Sequence, residues 1–247
     1  MDMQKITAST EERLEPPPTL GLREKSKLDK RRRIKAAARS VFVEKGYDAA
    51  TTREIAALAE VGIGTLFVYA KDKRELLMMI INDDLDEVND TSAYIVDHKA
   101  PLVDQVTAFF KVRYAYWACE PSLARPAVKE TFDFLGSANV QGPETARFYA
   151  RRPKILSMLT GIVKDGQESG MIADDVSADL IASLFITIYL TEVRRWLSQD
   201  EPLVEAGIAR LRELLALAIR GIEPQRAVSS SHQDRAMVCL TEVTAVR

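Results

Sequence analysis

The stretch "TTREIAALAEVGIGTLFVYAKDKRELL", residues 51–77, holds two helical patterns with almost no room between them, then a basic turn and the start of a third helix. Thr51 or Thr52 suits an N-cap, and Glu54 lies within reach for a capping box. The spacing predicts one helix over about 52–59, with Ile55, Ala56 and Ala59 inward, and another over about 62–68. Asp72 can cap a long amphipathic helix whose buried stripe takes in Leu76, Leu77, Ile80, Ile81, Leu85 and Val88. Upstream, Ile34, Ala37, Ala38, Val41 and Phe42 share one face of a helix predicted over 29–45, which Gly46 stops.

The middle helix is short, and its outer face is nearly uncharged. A helix laid in the major groove of DNA needs only about two turns at the base edges. Small side chains at Ala56 and Ala59 let the preceding helix approach it closely. The N-terminus of that preceding helix offers free N–H groups and the hydroxyls of Thr51 and Thr52 to a phosphate. Tyr69, Lys71 and Lys73 then fall where the DNA backbone would continue. The spacing fits a helix-turn-helix. It would equally suit three short helices of an all-α protein that never meets DNA.

Working outward, residues 21–74 carry 14 Lys/Arg against 7 Asp/Glu, so the rest of this chain of net charge -2 is acidic. That asymmetry suits one end facing a polyanion, although a solvated basic helix start, "REKSKLDKRRR", would show the same surplus. Prolines 16–18 place a flexible arm at 1–22. Helices are expected over 101–118, 121–134, 144–169, 175–197 and from Pro202 to about Ile219 or Arg220, with a mostly disordered tail at 223–247. No useful run of period two occurs, so the expected fold is all-α. With 247 residues, 47% of them hydrophobic, a real core is available.

The remaining composition excludes several classes. Cys119 and Cys239 are far apart and lack metal-ligand company, which fits a reducing, cytoplasmic setting without disulfide or metal. The longest apolar run, "LIASLFITIYL" (180–190), is too short to span a bilayer, and the N-terminus has no signal-peptide pattern. The two histidines, His98 and His232, fall in an expected linker and the expected tail, and the metalloprotease, serine-hydrolase and Walker motifs are missing. No enzyme activity and no cofactor are expected.

Residues 32–77 resemble the DNA-binding domain of the TetR/AcrR family of one-component transcriptional regulators. Ile34, Ala37, Ala38, Phe42, Gly46, Tyr47, Thr51, Thr52, Ile55, Ala56, Ala59, Val61, Gly64, Thr65, Leu66, Tyr69, Lys73, Leu76 and Leu77 carry the likeness. Four positions depart from it. Glu60 stands where the family usually turns on Gly, Gly62 where it has a capping Ser, Phe67 where it has Tyr, and Ala70 where an aromatic is common. Glu60 is expected to point away from DNA.

The resemblance implies an N-terminal three-helix DNA-binding domain over 23–74 and a C-terminal ligand-binding and dimerisation domain over 75–222. It places Ile63, Thr65 and Val68 at base edges, with Gly62 and Gly64 allowing close approach, and Leu66 in the core. Thr51, Thr52, Arg53, Tyr69, Lys71 and Lys73 are the implied phosphate contacts. The implied partners are a partly palindromic operator, a second copy of the chain paired through the last two helices, and a small apolar or aromatic effector. Candidates to line the effector site are Phe109, Arg113, Tyr114, Trp117, Phe132, Phe148, Tyr149 and Tyr189. The expected function is a ligand-responsive transcriptional regulator, a repressor in the usual case. The alternative is a helical ligand-binding or interaction protein without DNA-binding activity.

Overall fold

The computed structural model describes residues 21–132 and 142–221. Among them are nine helices and no strand: α1 (Leu22–Lys45), α2 (Thr52–Leu58), α3 (Ile63–Tyr69), α4 (Lys73–Tyr94), α5 (Leu102–Cys119), α6 (Pro121–Phe132), α7 (Pro143–Glu168), α8 (Ala178–Leu197) and α9 (Val204–Arg220). The fold is all-α, as the periodicity requires. The expected tail at 223–247 and most of the expected arm lie outside the described residues.

Local chemistry sets the first boundaries. The Thr51 side chain accepts a hydrogen bond from the Glu54 backbone N–H at 3.3 Å, while the Glu54 carboxylate accepts from the Thr51 N–H at 3.1 Å. This reciprocal box starts α2. Gly62 starts α3 with no side-chain cap. Asp72 accepts from the Glu75 N–H at 2.8 Å and starts α4. Between α2 and α3 the chain turns on Glu60 at φ 53°, a left-handed conformation that costs a residue with a Cβ about 1–2 kcal/mol. The Glu60 carboxylate reaches back to Arg33 on α1 at 3.5 Å.

α1 begins at Leu22, a full two turns before the predicted start at 29. Its first half is built from strong helix formers, Arg, Glu and Lys. Asp29 pairs with Arg32 at 2.6 Å and with Arg33 at 3.3 Å along the same helix. The basic run is therefore part of a continuous helix, and the Tyr69 hydroxyl pins it by donating to the Lys27 carbonyl at 3.2 Å. α1, α2 and α3 close over Ile34, Ala38, Phe42, Ile55, Ala56 and Leu66, all buried.

α4 is the spine of the molecule. The sequence pattern shows a stripe, yet every residue from Glu75 to Asn82 is buried. The cause is tertiary: α1, α5, α6 and α7 pack around that segment from different sides. Polar residues inside it find partners on α7. Glu75 accepts hydrogen bonds from the Glu144 N–H at 3.1 Å, the Thr145 N–H at 2.7 Å and the Thr145 hydroxyl, and so caps α7 from another helix. Gly142, at φ 115°, precedes α7; a Cβ there would fall 2.3 Å from the Glu75 carboxyl carbon.

α8 packs between α6, α7 and α9. One face of it stays open: Leu180 is 65% exposed, and Leu184, Thr187 and Thr191 continue the stripe at helical spacing. Leu217 on α9 is also exposed. Among the described residues no helix is long and apolar enough to cross a membrane.

Candidate DNA interface and ligand cavity

α3 lies on the surface, held by one anchor. Leu66 is fully buried, while Ile63 is 41%, Phe67 45% and Val68 80% exposed. Thr65 is half-buried, and Gly62 and Gly64 are exposed; a Cβ on Gly64 would meet nothing of the protein within 4 Å. The outer face thus offers apolar atoms and one hydroxyl, with bare backbone between them. That combination suits contact with base edges and thymine methyl groups.

Cations and donors flank this face unequally. Arg53 and Lys71 are exposed, and Thr51 and Thr52 stand at the start of α2. Lys73 is tied inward: its ammonium donates to the carbonyls of Tyr47 at 2.8 Å and Asp48 at 2.9 Å and lies 5.0 Å from the Tyr47 ring centre. Two of its three donors thereby fix the loop before α2. The Tyr69 hydroxyl proton is likewise engaged, on the Lys27 carbonyl.

Much of the basic surplus of α1 ties the head to the body. Arg31 donates to Glu144 at 2.7 Å, Lys35 to Asp83 at 2.9 Å, and Arg39 pairs with Asp84 at 3.0 Å and Glu120 at 2.7 Å. Arg147 of α7 completes the cluster on Asp83 and Asp86, both at 2.7 Å. Burial pushes the Asp83 carboxyl up, but hydrogen bonds from Lys35 and Arg147 and the Lys35 and Arg31 charges outweigh it and hold the group at about 2. Arg74, in the first turn of α4, donates to the Tyr149 hydroxyl of α7 at 2.7 Å.

Behind this junction lies a cavity of about 120 Å3. α5 contributes Phe110, Arg113 and Trp117; α7 contributes Phe148, Tyr149 and Ile155; α8 contributes Ile186, Tyr189 and Val193, with Asn89 from α4. Phe110 and Tyr189 stack at 4.3 Å with their planes 6° apart, and the Trp117 indole N–H donates to the Tyr189 hydroxyl at 3.0 Å. These contacts fix one wall before anything enters. Arg151 also borders the cavity, but its guanidinium is engaged by Asp86 and by Asn82.

Residues 34–78 match the family described as bacterial regulatory proteins, tetR family. That segment of the chain is similar to the DNA-binding part of TetR-family regulators. Over 188 residues it is 29% identical to YhgD, an uncharacterized HTH-type transcriptional regulator of Bacillus subtilis (strain 168), spanning 76% of this chain and 94% of that protein. The fold is shared with Bacillus subtilis FadR, a transcriptional regulator solved in complex with stearoyl-CoA, at TM-score 0.59 and 22% identity over 78% of this chain and 99% of that one. It is shared with Thermus thermophilus FadR, a TetR-family transcriptional repressor solved with lauroyl-CoA, at TM-score 0.61 and 23% identity over 81% and 98%.

Of the residues expected at base edges, Ile63 and Val68 are exposed and Thr65 is half-buried, with Leu66 in the core as expected. Of the residues expected around a ligand, Arg113, Trp117, Phe148, Tyr149 and Tyr189 line the cavity. Phe109 and Tyr114 do not. Phe109 packs under the Arg113 guanidinium at 4.7 Å, and Tyr114 leans on Trp196 at 4.7 Å. The Phe132 side chain lies outside what the structure describes. The lining also includes residues outside the expected set, among them Phe110, Asn89, Ile155, Ile186 and Val193. Phe110 sits in the aromatic run "FFKVRYAYW" and differs from Phe109 only by the 100° that one residue adds around a helix. Asn89 carried no signal, being one polar residue on a helix with several.

Proposed function

We propose that the chain is a transcriptional repressor that binds a partly palindromic operator as a homodimer and is released by a small apolar or aromatic effector held in the cavity. The observation that carries this is the anchored, outward-facing α3, presented beside exposed Arg53 and Lys71 on a head matching the family's DNA-binding domain. In this reading residues 23–74 are the head and 75–222 the body, and the protein works in the cytoplasm, where its operator is.

Ile63, Thr65 and Val68 meet the base edges, and Gly62 and Gly64 bring the backbone close. Thr51, Thr52, Arg53 and Lys71 take phosphates. Lys73 has one donor left for a phosphate once it has fixed the 47–48 loop. Tyr69 must turn its O–H away from Lys27 to reach one. The exposed stripe Leu180, Leu184, Thr187 and Thr191 on α8, with Leu217 on α9, is the pairing surface. Pairing sets two copies of α3 toward successive major grooves, which lie ~34–36 Å apart.

Release follows from the shared residues. Tyr149 lines the cavity and holds Arg74, and only Ala70, Lys71 and Asp72 separate α4 from α3. An effector that displaces α7 against α4 moves α3 and spoils the spacing. Its leverage is its difference in affinity for the two arrangements, ~5.5 kcal/mol for a swing from 1:99 to 99:1. The apolar part of the cavity wall accords with an acyl or aryl body, and the ligands of both FadR complexes carry an acyl group.

Selection of random duplexes with the purified chain tests the proposal. The recovered sites should share a partly palindromic pattern, and affinity should fall steeply with salt. Failure to bind any duplex at low salt removes the repressor reading.

A further inference from the structure

We propose that the effector is a free acid whose carboxylate lands on the buried guanidinium of Arg113, with the Tyr189 hydroxyl as second donor. This rests on the cavity being the effector site.

Arg113 is 3% exposed and forms part of the cavity wall. Its hydrogen bonds go to the Ser92 hydroxyl at 2.9 Å, the Phe109 carbonyl at 3.4 Å and the Asn89 side-chain carbonyl. All three are neutral. Among the described residues no carboxylate stands in ion-pair range of it. Two other buried charged groups do have ionic partners, whereas Glu75 is held by neutral donors: Arg151 takes Asp86 at 2.5 Å, and Glu192 takes Arg195 at 2.7 Å and Arg210 at 3.2 Å. A buried cation with no anion is costly, and an anion entering beside it recovers part of that cost.

A second donor converges there. Tyr189 accepts from Trp117, so that bond leaves its own proton unused, and it lines the same cavity. Burial holds the Tyr189 hydroxyl above its ordinary pKa, which keeps it a donor. Phe110, Ile186 and Val193 supply apolar wall, while Asn89, Arg151 and Arg152 also line the cavity and add no carboxylate to it. The site therefore asks for a compact anion on an apolar body. Size narrows the class. The volume of about 120 Å3 is close to the ~150 Å3 of an engineered cavity that takes one benzene ring. An aryl acid or an acid of medium chain length fits. A coenzyme A thioester does not fit whole, and it would present a neutral carbonyl to Arg113.

Isothermal titration of the full chain with sodium benzoate, sodium octanoate and their methyl esters decides the matter, in wild type, Arg113→Met and Tyr189→Phe. At least one acid should bind ~tenfold or more tightly than its own ester. That advantage should vanish in Arg113→Met and shrink in Tyr189→Phe. An ester binding as tightly as its acid overturns the inference and leaves the effector site standing. So does an acid preference that survives Arg113→Met. Binding by none of the four also overturns it, and duplex binding on the same preparation then reports separately on the repressor reading. Should Arg113→Met fail to fold by circular dichroism, the wild-type acid-to-ester ratio and the Tyr189→Phe variant still settle the outcome.

Discussion

Removing the Glu75 side chain is expected to destabilise the protein by about 3 kcal/mol. Glu75 is fully buried on α4 and receives three donors from the first turn of α7. In Glu75→Ala the Thr145 N–H and hydroxyl, both buried, lose their acceptor. Each such loss costs about 1–3 kcal/mol, and the favourable effect of an anion at a helix N-terminus, ~0.3–2 kcal/mol, goes with them. Against this, the variant no longer buries a charge, which returns part of the total. For a chain of this size each kcal/mol moves Tm by roughly 2–4 °C, so thermal melts followed by circular dichroism should show a drop of about 6–12 °C. Glu75→Gln keeps the shape and one acceptor oxygen, and should fall between the alanine variant and wild type. A drop under about 2 °C for Glu75→Ala would mean that α7 does not depend on this cap, and would refute the reasoning.

Three further outcomes follow from the head and its attachment. Lys71→Ala should weaken binding to all duplexes alike and lower the log–log salt slope by ~0.9 per half-site, whereas Thr65→Ala should relax sequence preference with the slope unchanged; anisotropy titrations at several salt concentrations separate the two, and equal slopes for wild type and Lys71→Ala reject the phosphate contact. Asp83 has a folded-state pKa of about 2, below its ordinary 3.8, so the stability it contributes is present above pH ~4 and lost as pH falls toward ~2. The gap in Tm between wild type and Asp83→Asn should therefore be widest near neutral pH and close on acidification; a gap independent of pH contradicts this. Glu60→Gly relieves the left-handed strain at φ 53° and should raise stability by up to ~1 kcal/mol despite the greater chain entropy of glycine, so a lower Tm for the variant counts against the strain.

Sequence by itself determined what acts within a turn or two of chain. The Thr51–Glu54 box, the Asp72 cap and the Gly46 stop involve partners three or four residues apart, so spacing alone shows them. The head's core positions repeat at helical period and were legible for the same reason. The tertiary structure decided what depends on partners distant in sequence. Glu75 meets Thr145 across 70 residues, Arg151 meets Asn82 across 69, and Trp117 meets Tyr189 across 72. Periodicity marks which face of a helix is buried, but not which neighbour covers it. On α5, where Phe109, Phe110, Arg113, Tyr114 and Trp117 are all buried, it could not separate cavity from core. Packing made that choice, because α7 and α8 close beside Phe110 and Arg113 while Trp196 covers Tyr114. The same packing turned residues 75–82 of α4 from a stripe into a fully enclosed segment.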